Sequence, residues 1–427
     1  MKHIYLIIIL TFLQITFLGG HSKAQTDSLK KKLPVDLNSY IQVVSKNNLE
    51  YAAEKYNIDI SEAAIQMAKV IPDPSFSIDW LENREAKART GFGFASELGT
   101  TIELGGKRKA RIRYAEGERD LINAQLDDFF RNLRADAAIA FLEAEKQNRL
   151  YLMKKDSYIT MKKLAVADSI RLTLGSIMEI DAVQSKLEAG ILKNELIRAE
   201  ADRHNALTEL SLMAGLANSD TLFSPANELS GVIRNFDVND LISIAVQNRS
   251  DIVAAKLNME LSAKNTQLVK KERFMDLDIK VGLENDYLSP NNVPPAKIIS
   301  AGIGFPLKFS NLNKGELIAA SYYEQQTSKQ YEYIVQKITS EILQAYRYFM
   351  STEKQVSNFK VNMLKQSENV LRGKIYSYNR GETSLLEVLN AQRTYYEIRS
   401  SYIETLTENY SALIELERAA GIWDIKF

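Results

Sequence analysis

Apolar and polar residues alternate in four short stretches of this chain and recur at three- and four-residue intervals almost everywhere else. Phe76, Ile78 and Trp80 alternate with Ser77 and Asp79. After a polar stretch from Glu82 to Thr90, Phe92, Phe94, Leu98, Ile102 and Leu104 share a face opposite Gly93, Ala95, Glu97, Thr101 and Glu103. Period-two alternation predicts strands with two different environments, and the polar stretch reads as the turn between them. Further on, Met275, Leu277, Ile279, Val281 and Leu283 alternate with Asp276, Asp278, Lys280, Gly282 and Glu284. A proline-bearing loop (Pro290, Pro294, Pro295) separates them from Ile299, Ala301, Ile303, Phe305 and Leu307. Pro306 fits the end of a strand but not its middle.

The helical stretches are long. Leu37 to Val70 reads as one helix, capped by Asp36 or Asn38 and stopped before Pro72. From about Lys107 to Leu172, the residues Leu126, Phe130, Leu133, Ala137, Ala140 and Ala144 keep the four-three rhythm of a coiled-coil seam. From about Asn313 to Tyr378, Val335, Ile338, Ile342, Ala345 and Phe349 do the same. Each would be roughly 100 Å long at 1.5 Å per residue. No proline lies between Pro74 and Pro225 or after Pro306, as uninterrupted helices require. Both long helices end at a glycine, Gly175 and Gly381, where the chain turns back into a return helix.

The order helix, hairpin, long helix, glycine turn, return helix occurs twice. Asp36, Asn47, Ala53 and Asn57 recur as Asp237, Asn248, Ala254 and Asn258; Gly175, Ile180, Asp181 and Gly215 recur as Gly381, Leu386, Glu387 and Gly421. The expected organisation is a leader at 1–24, one unit over 25–427, repeats at 36–216 and 237–422, and a connector at 217–236.

Composition narrows the reading. The apolar run from Ile4 to Leu18 and the small-x-small site Ser22-Lys23-Ala24 predict a cleaved export signal. No other apolar run approaches the ~20 residues of a spanning helix. Cysteine is absent, so neither disulfides nor a lipidated N-terminal Cys are expected. Formal net charge is 0, which argues against nucleic acid as a partner. His3, His21 and His204 are the only histidines, and no catalytic, metal-binding or cofactor constellation is apparent.

The remaining question is what the apolar faces of the hairpins meet. A soluble exported coiled-coil scaffold would cover them with helices. Lipid would require a closed β-barrel. Four strands cannot close alone, because the smallest such barrels have about eight, so several chains would share one.

In this order of elements the chain resembles the TolC family of outer-membrane efflux channels. The likeness rests also on Ile102-Glu103-Leu104-Gly105-Gly106-Lys107-Arg108 after the first hairpin, Phe305-Pro306-Leu307 after the second, and Gly381-x-x-Ser384-x-Leu386-Glu387-Val388-Leu389-Asn390-Ala391. The resemblance implies a mainly helical homotrimer: a helical tunnel of coiled-coil hairpins and a shared twelve-stranded transmembrane barrel in the outer membrane. It implies a periplasmic adaptor (membrane fusion protein) and an inner-membrane pump as partners. The Leu-Gly-Gly-Lys-Arg wording is similar to the branch paired with heavy-metal pumps of the resistance-nodulation-division type; type I secretion channels are built alike. By position, the family's gate would fall on Asp181, Gln184, Glu387 and Asn390. Adaptor contacts would fall on Arg171, Leu174, Gly175, Ser176, Arg380, Gly381, Glu382 and Ser384. Trp80, Phe92, Phe94, Leu277, Ile279, Ile303 and Phe305 would face the membrane.

Overall fold

The computed structural model describes residues 31–85, 88–216, 221–226, 234–286, 296–307 and 312–424. The expected leader at 1–24, parts of the connector and the proline-bearing loop lie outside these residues.

In chain order the elements are β1 (Lys31–Val35), α1 (Leu37–Asn47), α2 (Leu49–Lys69), β2 (Ser75–Glu85), β3 (Ala88–Ile102), α3 (Lys107–Thr173), α4 (Glu179–Met213) and β4 (Thr221–Pro225). Then follow α5 (Val238–Asn248), α6 (Ser250–Glu272), β5 (Leu277–Asp286), β6 (Ala296–Gly304), α7 (Lys314–Asn358), a π turn (Phe359–Met363), α8 (Leu364–Asn379) and α9 (Leu385–Ala420). Near the strands, α2, α3, α6 and α7 stand side by side in that order; toward the far end the order is α4, α3, α9, α8. Among the described residues only α3, and α7 continued by α8, run through both levels. The main core lies between them, where Tyr40, Phe141 and Phe223 meet ring to ring and Leu207, Leu210, Tyr410 and Ile414 close around them. A matching cluster in the second half packs Ile338, Ile342 and Phe349 against Leu413 and Leu416.

Four details depart from the sequence reading. The helix expected over Leu37 to Val70 breaks at Asn48, whose backbone is extended (φ −63°, ψ 122°) and whose side-chain oxygen accepts from Tyr51 N–H at 2.8 Å. The break recurs at Arg249 between α5 and α6. The stretch Glu82 to Thr90 is largely strand, with a register shift at Asn83/Arg84, because a polar strand can continue the hairpin where alternation no longer matters. The connector contributes β4, which pairs in parallel with β1 and carries Phe223 into the core. The second long helix is interrupted by the π turn, whereas α3 runs unbroken for 67 residues.

Candidate functional site

The four long strands form one antiparallel sheet in the order β2-β3-β5-β6. Its register assembles a single apolar face. Phe76, Ile78 and Trp80 stand opposite Leu98, Ser96 and Phe94; Leu98 and Ser96 stand opposite Val281 and Leu283; those in turn stand opposite Ala301 and Ile299. Thr100, Ile279 and Ile303 form another row across the same face. This face is bare: Phe76 is 65 %, Trp80 67 %, Ile303 72 % and Ile299 78 % exposed. Phe94, Leu277 and Ile279 are half-buried, Phe305 is exposed one residue past β6, and Phe92 lies on β3 with its side chain outside the described set. An apolar patch of this extent needs a partner or a lipid surface.

The opposite face is mainly polar and small, with Ile298 opposite Glu284 as an apolar exception. It carries Asp79, Glu97, Thr101, Asp278, Lys280, Glu284 and Ser300 with Gly99, Gly282 and Gly302 between them. Lys280 Nζ donates to Glu97 Oε1 at 2.7 Å and Thr101 Oγ1 to Asp278 Oδ1 at 2.6 Å. Both outer strands, β2 and β6, have one pairing edge left over among the described residues. Among those residues no helix is long and apolar enough to cross a membrane.

The Leu104-to-Arg111 segment joins sheet to helix. Gly105 (φ +72°) passes so close to Phe274 that a Cβ would lie 2.4 Å from the ring, and Gly106 is also left-handed (φ +76°). Glycine adopts these angles without the penalty other residues incur. Lys107, almost buried, donates to Asp276 Oδ2 at 2.7 Å, while Asp276 Oδ1 accepts from Leu104 N–H at 3.2 Å. Arg108 and Arg111 donate to the carbonyls of Lys69, Ala68 and Val70, satisfying the C-terminal end of α2. The second repeat makes the same corner with Leu312 and Asn313, both at positive φ.

At the far tips both long helices end in the same capping pattern. Gly175 N–H donates to Leu172 O and Ser176 N–H to Arg171 O; Gly381 N–H donates to Tyr378 O and Glu382 N–H to Ser377 O. Both glycines are left-handed, and a Cβ on either would meet nothing within 4 Å. Leu174, Ser176, Arg380, Glu382 and Ser384 are exposed around them. Arg380 pairs with Glu382 at 3.8 Å and lies over the Tyr376 ring.

Just above the tips a contact joins the two repeats. Tyr378 Oη donates to Asp168 Oδ1 at 3.1 Å, and Asp168 is fully buried. Arg171 reaches the same carboxylate at 3.5 Å and donates to Asn379 Oδ1 at 2.8 Å, with its guanidinium 5.2 Å from the Tyr378 ring centre. Burial, reinforced by the Asp168 charge, pushes the Tyr378 phenol up to about 12, so it stays a donor. A hydrogen bond to a charged acceptor is worth about 1.5–3 kcal/mol. Higher up, Arg399 of α9 donates to Asp156 Oδ2 of α3 at 3.0 Å.

The four residues named for the gate lie in the first turns of α4 and α9, just past the tips. Asp181 is half-buried and its charge is felt at Tyr378. Gln184 is exposed on α4. Glu387 and Asn390 line a groove of about 520 Å³ between α8 and α9, with Met363, Val370, Ala391 and Ile398. Glu387 is not a free carboxylate: Lys374 on α8 and Thr383 Oγ1 both bind it, and these bonds hold it below the usual carboxylate range. Asp168 and Tyr378 carried no local signature; they are 210 residues apart, and only the folded chain brings them together.

Residues 241–422 match the profile of the outer membrane efflux protein family. Over 391 residues the chain is 25 % identical to the cobalt-zinc-cadmium resistance protein CzcC of Cupriavidus metallidurans, covering 91 % of this chain and 90 % of that one. Its fold is similar to that of CusC (TM-score 0.74, 16 % identity, 93 % of this chain and 96 % of that one). It is similar also to the open state of the Neisseria gonorrhoeae MtrE outer membrane channel (TM-score 0.70, 14 % identity, 90 % of this chain and 89 % of that one). With its bare-faced four-stranded sheet and its doubled helical hairpins, the chain shares the fold of these solved outer-membrane channels, and its residues 241–422 resemble the outer membrane efflux protein family.

Proposed function

We propose that this protein is the passive exit duct of a tripartite efflux system. Three copies supply twelve strands to one barrel, each copy's β6 pairing with the next copy's β2. The observation that carries this reading is the sheet with one apolar and one polar face. Lipid satisfies the first, a water-filled lumen the second, and closure satisfies both leftover strand edges. The helical layer continues the lumen as a tunnel across the periplasm. Asp79, Glu97, Asp278 and Glu284 outnumber Lys280 on the inner face, and such rings favour cations.

At the tips, the exposed turns Leu174-Gly175-Ser176 and Gly381-Glu382 present backbone that a periplasmic adaptor can approach closely, and an inner-membrane pump drives export through it. Asp181 and Glu387, repeated around the axis with Gln184 and Asn390, border the constriction. The latch between Asp168 and Tyr378 holds that constriction in its resting shape. Likeness to a cobalt-zinc-cadmium resistance protein supports divalent metal cations as the exported class.

Purified protein in planar bilayers tests the duct: it should assemble as a detergent-dependent trimer and conduct cations in preference to anions. A freely soluble monomer without conductance would overturn the reading. Deleting the gene should sensitise cells to Co²⁺, Zn²⁺ and Cd²⁺; unchanged tolerance would remove the metal assignment while leaving the duct.

A further inference from the structure

Where the strands run into the helices, basic residues gather at one level. Lys69 ends α2, Lys270 and Lys271 fall in the last turn of α6, Lys314 opens α7, and Lys109 and Arg113 lie in the first two turns of α3. All six are exposed. The described ion pairs of this corner, Lys107–Asp276 and Arg111–Glu103, leave all six out. Those pairs also fix which way the helices face. Glu103 and Asp276 continue the polar alternation of β3 and β5, so Lys107 and Arg111 are turned to the polar side of the sheet. Lys109 and Arg113 stand two residues further on, about 200° round the helix, and are turned to the apolar side. On α6, Glu272 lies in the field of Arg111; Lys270, two residues before it, takes the opposite side. Lys271 Nζ is 5.7 Å from the ring centre of the exposed Phe274.

An apolar rim adjoins these charges: Val70, Ile71, Leu104, Phe274, Leu307 and Leu312 are all exposed. Opposing charge is thin beside it. Among the described residues Asp73 is exposed just past α2, Glu316 lies about 200° round α7 from Lys314, and Glu116 is about one turn deeper along α3 than Arg113.

We propose that this collar, carried chiefly by Lys109, Arg113, Lys270 and Lys271, is a binding surface for anionic phospholipid headgroups in the leaflet at the periplasmic end of the barrel. The inference rests on the barrel reading above and names what surrounds the barrel's rim. In that reading the apolar face ends where the hydrocarbon ends, and the groups met next are phosphates. Long basic side chains lay their stems on an apolar rim and hold their charge in the polar layer. Attraction to an anionic surface acts over about one Debye length, roughly 8 Å at physiological ionic strength. Arg113 lies six residues past Lys107, the start of α3, about 9 Å along the axis, so the four charges stay close to that range. A zwitterionic headgroup carries an amine beside its phosphate and presents no net charge, so the collar discriminates between the two lipid classes.

The assembled protein in phosphatidylcholine vesicles tests this. The immobilised fraction of spin-labelled phosphatidylglycerol is compared with that of spin-labelled phosphatidylcholine. The expected result is a several-fold preference for phosphatidylglycerol at low salt, shrinking toward none at high salt. Lys109→Gln, Arg113→Gln, Lys270→Gln and Lys271→Gln together should abolish it. Lys162→Gln, Lys163→Gln, Lys186→Gln and Lys193→Gln remove the same charge from exposed sites nearer the tips and should leave it intact. Should the fourfold collar variant fail to fold, the α3 pair and the α6 pair changed separately should each lower the preference. Equal association of both lipids with the unmodified protein, a preference indifferent to salt, or equal loss in the collar and tip variants would overturn the collar and leave the barrel standing. A protein that enters no vesicle would overturn the barrel reading, and the collar with it.

Discussion

The side-chain amide of Asn48 donates to the Met213 carbonyl at 2.9 Å, and the guanidinium of Arg249 donates to the Ala419 carbonyl at 2.8 Å. The two contacts are the same joint made with different chemistry. In each repeat a break between two short helices receives the end of the return helix, two residues before its terminal glycine. Those glycines, Gly215 and Gly421, are left-handed and lie directly on the break: a Cβ on Gly215 would be 2.2 Å from Asn47 O, and one on Gly421 2.8 Å from Arg249 Cγ. Asn48→Ala removes both the cap on Tyr51 N–H and the donor to Met213, and should cost about 2 kcal/mol. Arg249→Ala should cost more, about 3 kcal/mol, because it strands Asp251 and Glu341, which the guanidinium binds at 2.6 and 3.0 Å. Thermal unfolding followed by circular dichroism orders the two.

The Gly105-Gly106 corner allows a sharper comparison. Both residues have positive φ, but only Gly105 is crowded, by Phe274. Gly106→Ala should lose about 1–2 kcal/mol for the left-handed backbone alone. Gly105→Ala adds a clash with an aromatic ring and should lower the yield of folded protein in membranes far more. Equal yields would mean that Phe274 moves aside freely.

Much of this was legible before folding, and the reasons for the rest are physical. Alternation at residues 76–80, 277–283 and 299–303 located the strands because one face of the sheet is apolar and the other mainly polar. Gly175 and Gly381 marked the tips because only glycine adopts those angles without strain. The breaks at Asn48 and Arg249 were hidden because neither is a proline or glycine; each interrupts its helix through a hydrogen bond to a carbonyl some 165–170 residues away. The strand Lys31–Val35 is charged, contains Pro34 and exists only by pairing with Thr221–Pro225. Glu387 was named by position alone; its partner Lys374 lies on the preceding helix and could not be read from spacing.

Because Lys374 and Thr383 already hold Glu387, the carboxylates named for the constriction should contribute unequally with the latch. Tyr378→Phe should raise conductance several-fold, since it removes the donor to a buried charge. Glu387→Gln should change it less, because that residue is solvent-exposed and the amide still accepts from Thr383. The control Tyr376→Phe, at an exposed ring that lies beneath Arg380 of the tip, should leave currents unchanged. Single-channel recordings rank the three.

Glu417 introduces a pH dependence away from the tips. Its fully buried carboxyl accepts from Arg234 at 2.9 Å and from Asp424 N–H at 3.1 Å. Burial first, and the Asp424 carboxylate beside it, push it up to about 8 despite Arg234. In the unfolded chain the same group titrates near 4.3. Between those values the unfolded state binds fewer protons than the folded one, so stability falls as pH rises through the window and levels off above it. Glu417→Gln should match the unmodified protein near pH 5 and exceed it above about pH 8. Melting temperatures across that range check it; parallel curves would mean that the folded carboxyl ionises normally.

Neighbouring residues on β6 put the medium around the sheet to a direct test. Ile299 stands opposite Leu283 on the apolar face and is 78 % exposed; Ser300 stands opposite Gly282 on the polar face. Successive strand residues point to opposite faces, so in the proposed barrel one step along the chain would exchange lipid for lumen. A lysine on a lipid-facing position costs about 2–4 kcal/mol at the bilayer midplane, and the three copies of the proposed barrel would repeat that cost. Ile299→Lys should therefore fail to assemble in the outer membrane, leaving protein in the periplasm or degraded. Ser300→Lys should assemble normally and shift ion selectivity toward anions, because its charge points into the pore. If both variants assembled and conducted alike, the apolar face would not be meeting lipid, and a helical or protein cover would have to be sought instead.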